Sequence, residues 1–353
     1  MSERHSYRVG ILGATGVVGQ TLLAILAERR FPVSELRPLA SARSAGSRVR
    51  FGDSELEVIE LDEDSVSGLD LVLSSAGGSV SAEWAPRFVE AGAVVVDNTS
   101  FWRMDERVPL VISEVNPDAL AEHSGLIANP NCTTMVMLTA LAPIHRAAGL
   151  ERIVISSYQS ASGTGRRAVE ELNAQTRAIA AGEAVPAPEI YPHQLAYNVL
   201  PQVESFKDGD DYTTEERKLM AETRKILGLG EELGISATCV RVPVLAGHSE
   251  SINIQTSAEL SPEECRRILA EAPGVVVADD PSDAVYPLAL DAAGRDEVLA
   301  GRIRRDPSHE RCLNLWVVGD NLRKGAALNA VQIAELLAAR DLMRVPAGAS
   351  LAA

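Results

Sequence analysis

Apolar and polar positions along this chain follow two different regimes. In the first third, short aliphatic runs alternate with stretches whose apolar residues recur at helical spacing. Residues 8–12, 69–74 and 93–97 read as strands. Residues 35–40 read as a further strand, in which Pro38 points to a sheet edge or a strand end. Residues 17–27, with Leu22, Leu23 and Leu26 on one side, and 82–91, closed by Gly92, read as helices. Near-continuous apolar strands alternating with helices predict a parallel sheet covered on both faces, the doubly wound, Rossmann-like α/β architecture.

After about residue 131 the rhythm changes. Strands are predicted at 152–159, 236–245, 250–258, 298–304 and 312–318, with fewer helices between them. That pattern predicts an α+β domain with a mixed, largely antiparallel sheet. A long helix at 166–181 precedes a Pro-rich connection at 186–201, and a charged helix at 214–227 takes Thr213 or Thr214 as its cap. An amphipathic helix at 323–339 is expected to return to the first domain. The expected boundaries are 1–130 plus 322–353 for the first domain and 131–321 for the second. Only a small-residue tail at 346–353 stands out as biased sequence.

Composition narrows the function. The 353 residues, 46% of them apolar, suffice for two domains with a large core. A net charge of -16 argues against nucleic acid or an anionic membrane as the main partner, while leaving room for an anionic small molecule in a locally basic pocket. No apolar run approaches the roughly 18 residues of a membrane span. The N-terminus runs into a strand without a signal-peptide pattern. The cysteines, at 132, 239, 265 and 312, are scattered without metal-ligand spacing. A cytoplasmic protein without a bound metal is expected.

Two segments carry chemistry. In Asn129-Pro130-Asn131-Cys132-Thr133-Thr134, Pro130 rules out helix before it and Asn131 is a good N-cap for the apolar helix that follows. Cys132 then falls in the first helical turn, where unpaired amides and the dipole favour thiolate over thiol. The ordinary alternative is a buried structural cysteine. Gly13-Ala14-Thr15-Gly16-Val17-Val18-Gly19 follows the first strand and opens the first helix. Its spacing is G-x-x-G-x-x-G, and it offers a tight turn and free amides to a pyrophosphate. Beyond the second strand, Ser41-Ala42-Arg43-Ser44 carries no carboxylate for a ribose 2′-OH. Arg43, flanked by Ser41 and Ser44, suits the 2′-phosphate of NADP.

Over essentially its whole length the chain resembles the aspartate-β-semialdehyde dehydrogenases. The resemblance rests on Gly13-Ala14-Thr15-Gly16, residues 39–46, Asp97-Asn98-Thr99-Ser100, Arg103-Met104-Asp105, Glu114-Val115-Asn116-Pro117 and Asn129-Pro130-Asn131-Cys132. It continues through Tyr158-Gln159, Ser162-Gly163, Arg241-Val242-Pro243, Gly247-His248-Ser249-Glu250 and residues 320–326. Phe101-Trp102 and Thr133 are small departures from the family pattern.

The resemblance implies NADP-dependent interconversion of β-aspartyl phosphate with L-aspartate semialdehyde plus phosphate, in lysine, threonine and methionine synthesis. It also implies a catalytic and dimerisation role for the second domain, and a homodimer. Cys132 would form a thioester, Gln159 would orient it, and His248 would be an acid/base titrating near the working pH. Arg241 would clamp the substrate α-carboxylate through a two-point fork and Glu215 would meet the α-ammonium. Lys218 would help Arg103 hold phosphate. Gly13, Thr15, Gly16, Val17, Val18, Ser41, Arg43 and Ser44 would bind the nucleotide, with Ser162, Gly163 and Asn321 near the nicotinamide half. The competing readings are N-acetyl-γ-glutamyl-phosphate reductase and a catalytically silent NADP-sensing protein. Arg241 and Glu215 favour a substrate with a free α-amino group over the first. Intact Cys132, Gln159, Arg241 and His248 speak against the second.

Overall fold

The structure, a computed structural model, describes residues 6–346 and Gly348; the rest of the small-residue tail lies outside them. The chain divides into two compact units, Met1–Asn131 with Ala326–Ala353, and Cys132–Gly325. The first runs β1 (Tyr7–Leu12), α1 (Val17–Glu28), β2 (Val33–Ala40), β3 (Arg48–Phe51), β4 (Ser54–Glu57), β5 (Ile59–Glu60), α2 (Glu63–Val66), β6 (Leu71–Ser74), α3 (Gly78–Glu90), β7 (Val94–Asp97) and β8 (Leu126–Ala128). The second begins with α4 (Cys132–Ala148), β9 (Leu150–Gln159), α5 (Arg166–Ala181), α6 (Thr214–Leu227), β10 (Gly234–Arg241) and β11 (His248–Thr256). It ends with α7 (Pro262–Ala270), β12 (Val275–Val277), α8 (Ala289–Ala292), β13 (Val298–Arg305) and β14 (Cys312–Gly319). Residues 323–327, read from sequence as the start of the last helix, wind as a π-turn before α9 (Leu328–Ala339).

In the first unit the sheet order is β5-β2-β1-β6-β7-β8, and every pairing is parallel. The strand order reverses at β1, so its C-terminal end is the switch point where such sheets bind ligands. Aliphatic residues of β1, β6 and β7, among them Ile11, Leu73 and Val96, pack with Leu22 and Leu26 of α1 and Val331 and Leu337 of α9 in one core. Each such side chain, fully removed from water, contributes about 1.5–3 kcal/mol. β2 is an interior strand that runs through Pro38, which pairs with Ile11. The carbonyl of Leu39 faces β1, where it accepts from Gly13 N–H, so the nitrogen of Pro38 faces outward. There β5 pairs only Leu39 and Ala40, so little of the ladder is lost.

The second unit's sheet, ordered β10-β9-β11-β14-β13-β12, is antiparallel at its three central pairings and parallel at both ends. α4 is buried over nearly its whole length against β9, β11, β13 and β14. At their join β10 ends at Arg241, short of the expected 245, while β11 begins at His248, ahead of the expected 250; Pro243 and the left-handed Gly247 (φ +89°) lie in the turn between them. The Pro-rich connection is irregular but anchored. Gln175 of α5 accepts from the amides of Leu195 and Ala196, and Glu171 from those of Glu189 and Ile190. Leu200 then exchanges both backbone hydrogen bonds with Arg241.

Candidate active site

α4 begins at Cys132, which is half-buried and in no disulfide. The π-turn brings Gly325 so close that a Cβ there would lie 2.9 Å from the Cβ of Cys132, so only glycine fits. Thr133, buried in the first turn of α4, accepts a 2.8 Å hydrogen bond from Nε2 of Gln159 at the end of β9. Gln159 Nε2 also lies 3.2 Å from Oε1 of Glu215 and 3.3 Å from Oγ of Ser157. The threonine therefore keeps the hydroxyl that orients Gln159.

α6 presents Glu215 to this cluster. Thr213 caps the helix in a reciprocal box with Glu216, whose other oxygen accepts from Cys239 N–H of β10 at 2.8 Å. That pairing pins the helix start to the sheet and buries Glu215. Lys218, one turn on, sits 2.8 Å from Glu215 and 2.5 Å from Glu204. Burial works against its charge, but the two carboxylates outweigh burial and raise its pKa. A role in holding phosphate therefore requires Lys218 to exchange a carboxylate partner.

His248, the first residue of β11, is completely buried. Its Nδ1 accepts from the N–H of Ser160 at 3.1 Å, which places the ring proton of the neutral form on Nε2. Nε2 has no partner among the described residues. Burial, and after it the positive charge of Arg241, lowers the pKa of His248 to about 3. This corrects the expectation that the imidazole titrates near the working pH; its neighbours are visible only in the fold. Arg241, at the end of β10, donates from Nη1 to the carbonyl of Ser160 at 2.6 Å. The buried Nε of Arg241 has no partner among the described residues. Its guanidinium stands 5.8 Å from the ring centroid of Tyr191. A Cβ on Gly163 would lie 3.1 Å from Nη1 of Arg241 and 3.3 Å from Nε2 of His248, so that glycine keeps open the space both donors border.

Ser160 and Asn321 hold this arrangement. The Asn321 Oδ1 accepts from the Ser160 hydroxyl at 3.0 Å and from Gly247 N–H at 2.9 Å, while its Nδ2 donates to Ser162 Oγ at 3.0 Å. The sequence reading overlooked Ser160, which contributes its N–H and carbonyl and also a hydroxyl 3.0 Å from Asn321 Oδ1 and 3.2 Å from His248 Nδ1. It also gave no role to Glu250, two residues beyond His248 on the same face of β11. That side chain is fully buried, with neither carboxyl oxygen partnered among the described residues. Burial holds its pKa well above the carboxylate range.

In the first unit, Gly13 (φ +84°) and Ala14 donate their amides to the Leu39 carbonyl, and Gly16 N-caps α1 without a side-chain hydrogen bond. A Cβ on Gly19 would fall 2.2 Å from the carbonyl oxygen of Gly13. The third glycine is thus needed for the helix to approach the turn. Thr15, Val17 and Val18 complete this turn and the helix start, and the uncapped N-terminus fits a pyrophosphate. Arg43 is exposed in the turn after β2, beside Ser41 and Ser44, and enters no ion pair among the described residues. Arg103 is buried, with Nε bonded to the Asn129 carbonyl at 3.0 Å and Nη2 to that of Asn98 at 2.8 Å. Among the described residues no cluster could hold a metal ion, and no helix is long and apolar enough to cross a membrane.

Residues 8–123 match the family model of the semialdehyde dehydrogenase NAD binding domain, and residues 141–324 that of the semialdehyde dehydrogenase dimerisation domain. The aspartate-semialdehyde dehydrogenase of Aquifex aeolicus is 52% identical over 96% of this chain and 99% of its own length. That of Bacillus subtilis is 48% identical over 95% and 98%. The crystal structure of aspartate semialdehyde dehydrogenase II from Vibrio cholerae complexed with ASA matches with a TM-score of 0.90 at 45% identity, covering 96% of this chain and 99% of that one. The Candida albicans enzyme with NADP matches with a TM-score of 0.72 at 25% identity, covering 96% and 100%. The chain belongs to the aspartate-semialdehyde dehydrogenase family.

Proposed function

We propose that this protein is an NADP-dependent aspartate-semialdehyde dehydrogenase, working as a homodimer in lysine, threonine and methionine synthesis. It converts L-4-aspartyl phosphate to L-aspartate 4-semialdehyde and phosphate through a thioester on Cys132. The observation that carries this reading is that Nη1 of Arg241 and Nε2 of His248 border one space at Gly163, while His248 Nε2 and the buried Nε of Arg241 have no partner among the described residues, and the buried Glu215 acts on His248 electrostatically. An α-carboxylate answers Arg241, and an α-ammonium answers Glu215. A substrate lacking the α-carboxylate would leave the buried Nε of Arg241 without an acceptor. Cys132, at the start of α4, is the nucleophile, and Gln159 orients the acyl group. Arg103, braced by two carbonyls, holds the phosphate, with Lys218 contributing once it releases Glu204. Gly13, Thr15, Gly16, Val17 and Val18 hold the pyrophosphate, and Ser41, Arg43 and Ser44 the 2′-phosphate. Ser162, Gly163 and Asn321 line the nicotinamide half. The bound nicotinamide supplies the hydride.

The test is NADPH formation from L-aspartate semialdehyde, with and without phosphate, alongside N-acetylglutamate semialdehyde. Phosphate-dependent turnover of the first alone is expected. Preference for the acetylated aldehyde, or binding of NADP without turnover, would refute the reading.

A further inference from the structure

Lys218 has two carboxylate partners, and they are not equivalent. Glu215, one turn earlier on α6, lies 2.8 Å away and is buried. Glu204, in the irregular stretch between α5 and α6, lies 2.5 Å away with its side chain 44% exposed. Through its other oxygen Glu204 accepts from the Thr214 hydroxyl at 2.6 Å. Its backbone stands at φ +63°, where a residue other than glycine is strained. Such strain persists only where the surroundings impose it. Here they do so from both sides. Upstream, Leu200 is tied to Arg241 and Val203 is buried. Downstream, the Ser205 carbonyl accepts from Thr214 N–H, and Phe206 pairs with Thr213. Anchored in this way, the chain holds the Glu204 carboxylate on Lys218.

One ammonium between two carboxylates leaves a net negative charge, which repels an arriving phosphate. Only one of the two carboxylates can yield. Releasing Glu215 would strand a buried charge, whereas Glu204 can turn into water. We infer that Glu204 is an internal stand-in for phosphate: its carboxylate holds the Lys218 ammonium and the Thr214 hydroxyl, yields both to an incoming phosphate, and drives phosphate out by returning. The inference rests on the proposed reaction in one respect, that Lys218 receives phosphate. It adds Thr214 as a second phosphate contact and Glu204 as the residue that sets phosphate affinity. The exchange is chemically even, since phosphate oxygens accept from an ammonium and a hydroxyl as a carboxylate does. Where the aldehyde is made, phosphate is a product, so a resident competitor favours its departure.

The test is the Kd of inorganic phosphate for the full-length protein loaded with NADP, measured by calorimetric titration without aldehyde. Glu204→Gln keeps the size of the side chain and an oxygen for Thr214 but removes the charge. It should tighten phosphate about fivefold, the scale of one partly exposed ion pair. In a Lys218→Met background the same change should have no effect, because the competition is for that ammonium. Asp208→Asn removes an equal charge from the same exposed stretch and should leave the Kd as in the parent. A purely structural role for Glu204 would not tighten phosphate through Lys218. Unchanged or weaker binding in Glu204→Gln overturns the inference, as does equal tightening in Asp208→Asn or in the Lys218→Met background. If Lys218→Met by itself leaves the Kd unchanged, Lys218 does not receive phosphate, and its proposed role falls together with the inference. If Lys218→Met weakens phosphate while Glu204→Gln fails to tighten it, the inference falls alone.

Discussion

Two helix N-termini in this chain are built by opposite means. At α1 the sequence removes side chains: Gly16 caps the helix with bare backbone, and Gly19 lets the turn close to a distance no Cβ would tolerate. At α4 the sequence supplies side chains instead, with Cys132 and Thr133 in the first turn and Gln159 reaching back to it. The same contrast runs through the interiors. In the first unit the buried carboxylate Asp97 accepts from the hydroxyls of Ser81 and Thr99. In the second, Glu250 has no such donors among the described residues. A backbone site specifies geometry cheaply and tolerates an ordinary core, whereas a side-chain site buries groups that are costly when empty-handed.

The strongest break in that comparison is Cys132→Ser. It should lower turnover by at least about 10⁴-fold, because a hydroxyl does not provide the thiolate. NADPH affinity, measured by fluorescence titration, should stay as in the parent. A parallel loss of cofactor binding would mean that the two helix ends are not separable. The converse is Gly19→Ala, which sets a Cβ against the Gly13 carbonyl and should cost about 1–3 kcal/mol in stability together with most of the NADPH affinity. Alkylation of Cys132 should proceed at the parental rate in that variant.

Glu250→Gln sharpens the contrast between the interiors. The folded-state pKa of this carboxyl lies above its usual value of 4.5, so the native protein keeps a proton that the unfolded chain releases. Stability is therefore lost as pH rises above about 4.5, at about 1.4 kcal/mol per unit until the folded pKa is reached. The glutamine variant should lack that loss, so its advantage in urea unfolding should widen as the pH rises above about 4.5; a constant difference would mean that Glu250 is ionised in the fold. The smallest expected effect is at Arg43, exposed after β2. Arg43→Ala should weaken NADP by about tenfold and leave NAD nearly unchanged. Equal losses would assign Arg43 to the turn rather than to the phosphate.

What could be read from sequence follows the same division. α5 and α6 were legible to the residue because their ends are written locally: the Thr213–Glu216 box starts α6, and Gly182 and Gly228 adopt left-handed conformations after the last turns. The hairpin of β3 and β4 was not, since Arg48, Arg50, Glu55 and Glu57 hide a two-strand pairing within a polar stretch. The placement of the turn glycines and of Cys132 at the start of α4 was visible because it is set by neighbours in the chain. The state of His248 was not, because Ser160 and Arg241 reach it from other strands. Residue type announces which groups are reactive; only packing decides in which protonation state they work.

The burial of three thiols gives this chain a calendar of reactivity. Burial raises the pKa of Cys239 beyond the ordinary thiol range, pushes that of Cys265 up to about 12, and raises that of Cys312 as well. A thiol-directed electrophile at neutral pH therefore meets one addressable thiol per folded chain, Cys132. Three more become addressable only when the fold opens. The first modification counts Cys132 and the later ones count unfolding events, so a single reagent, followed by mass, separates the two.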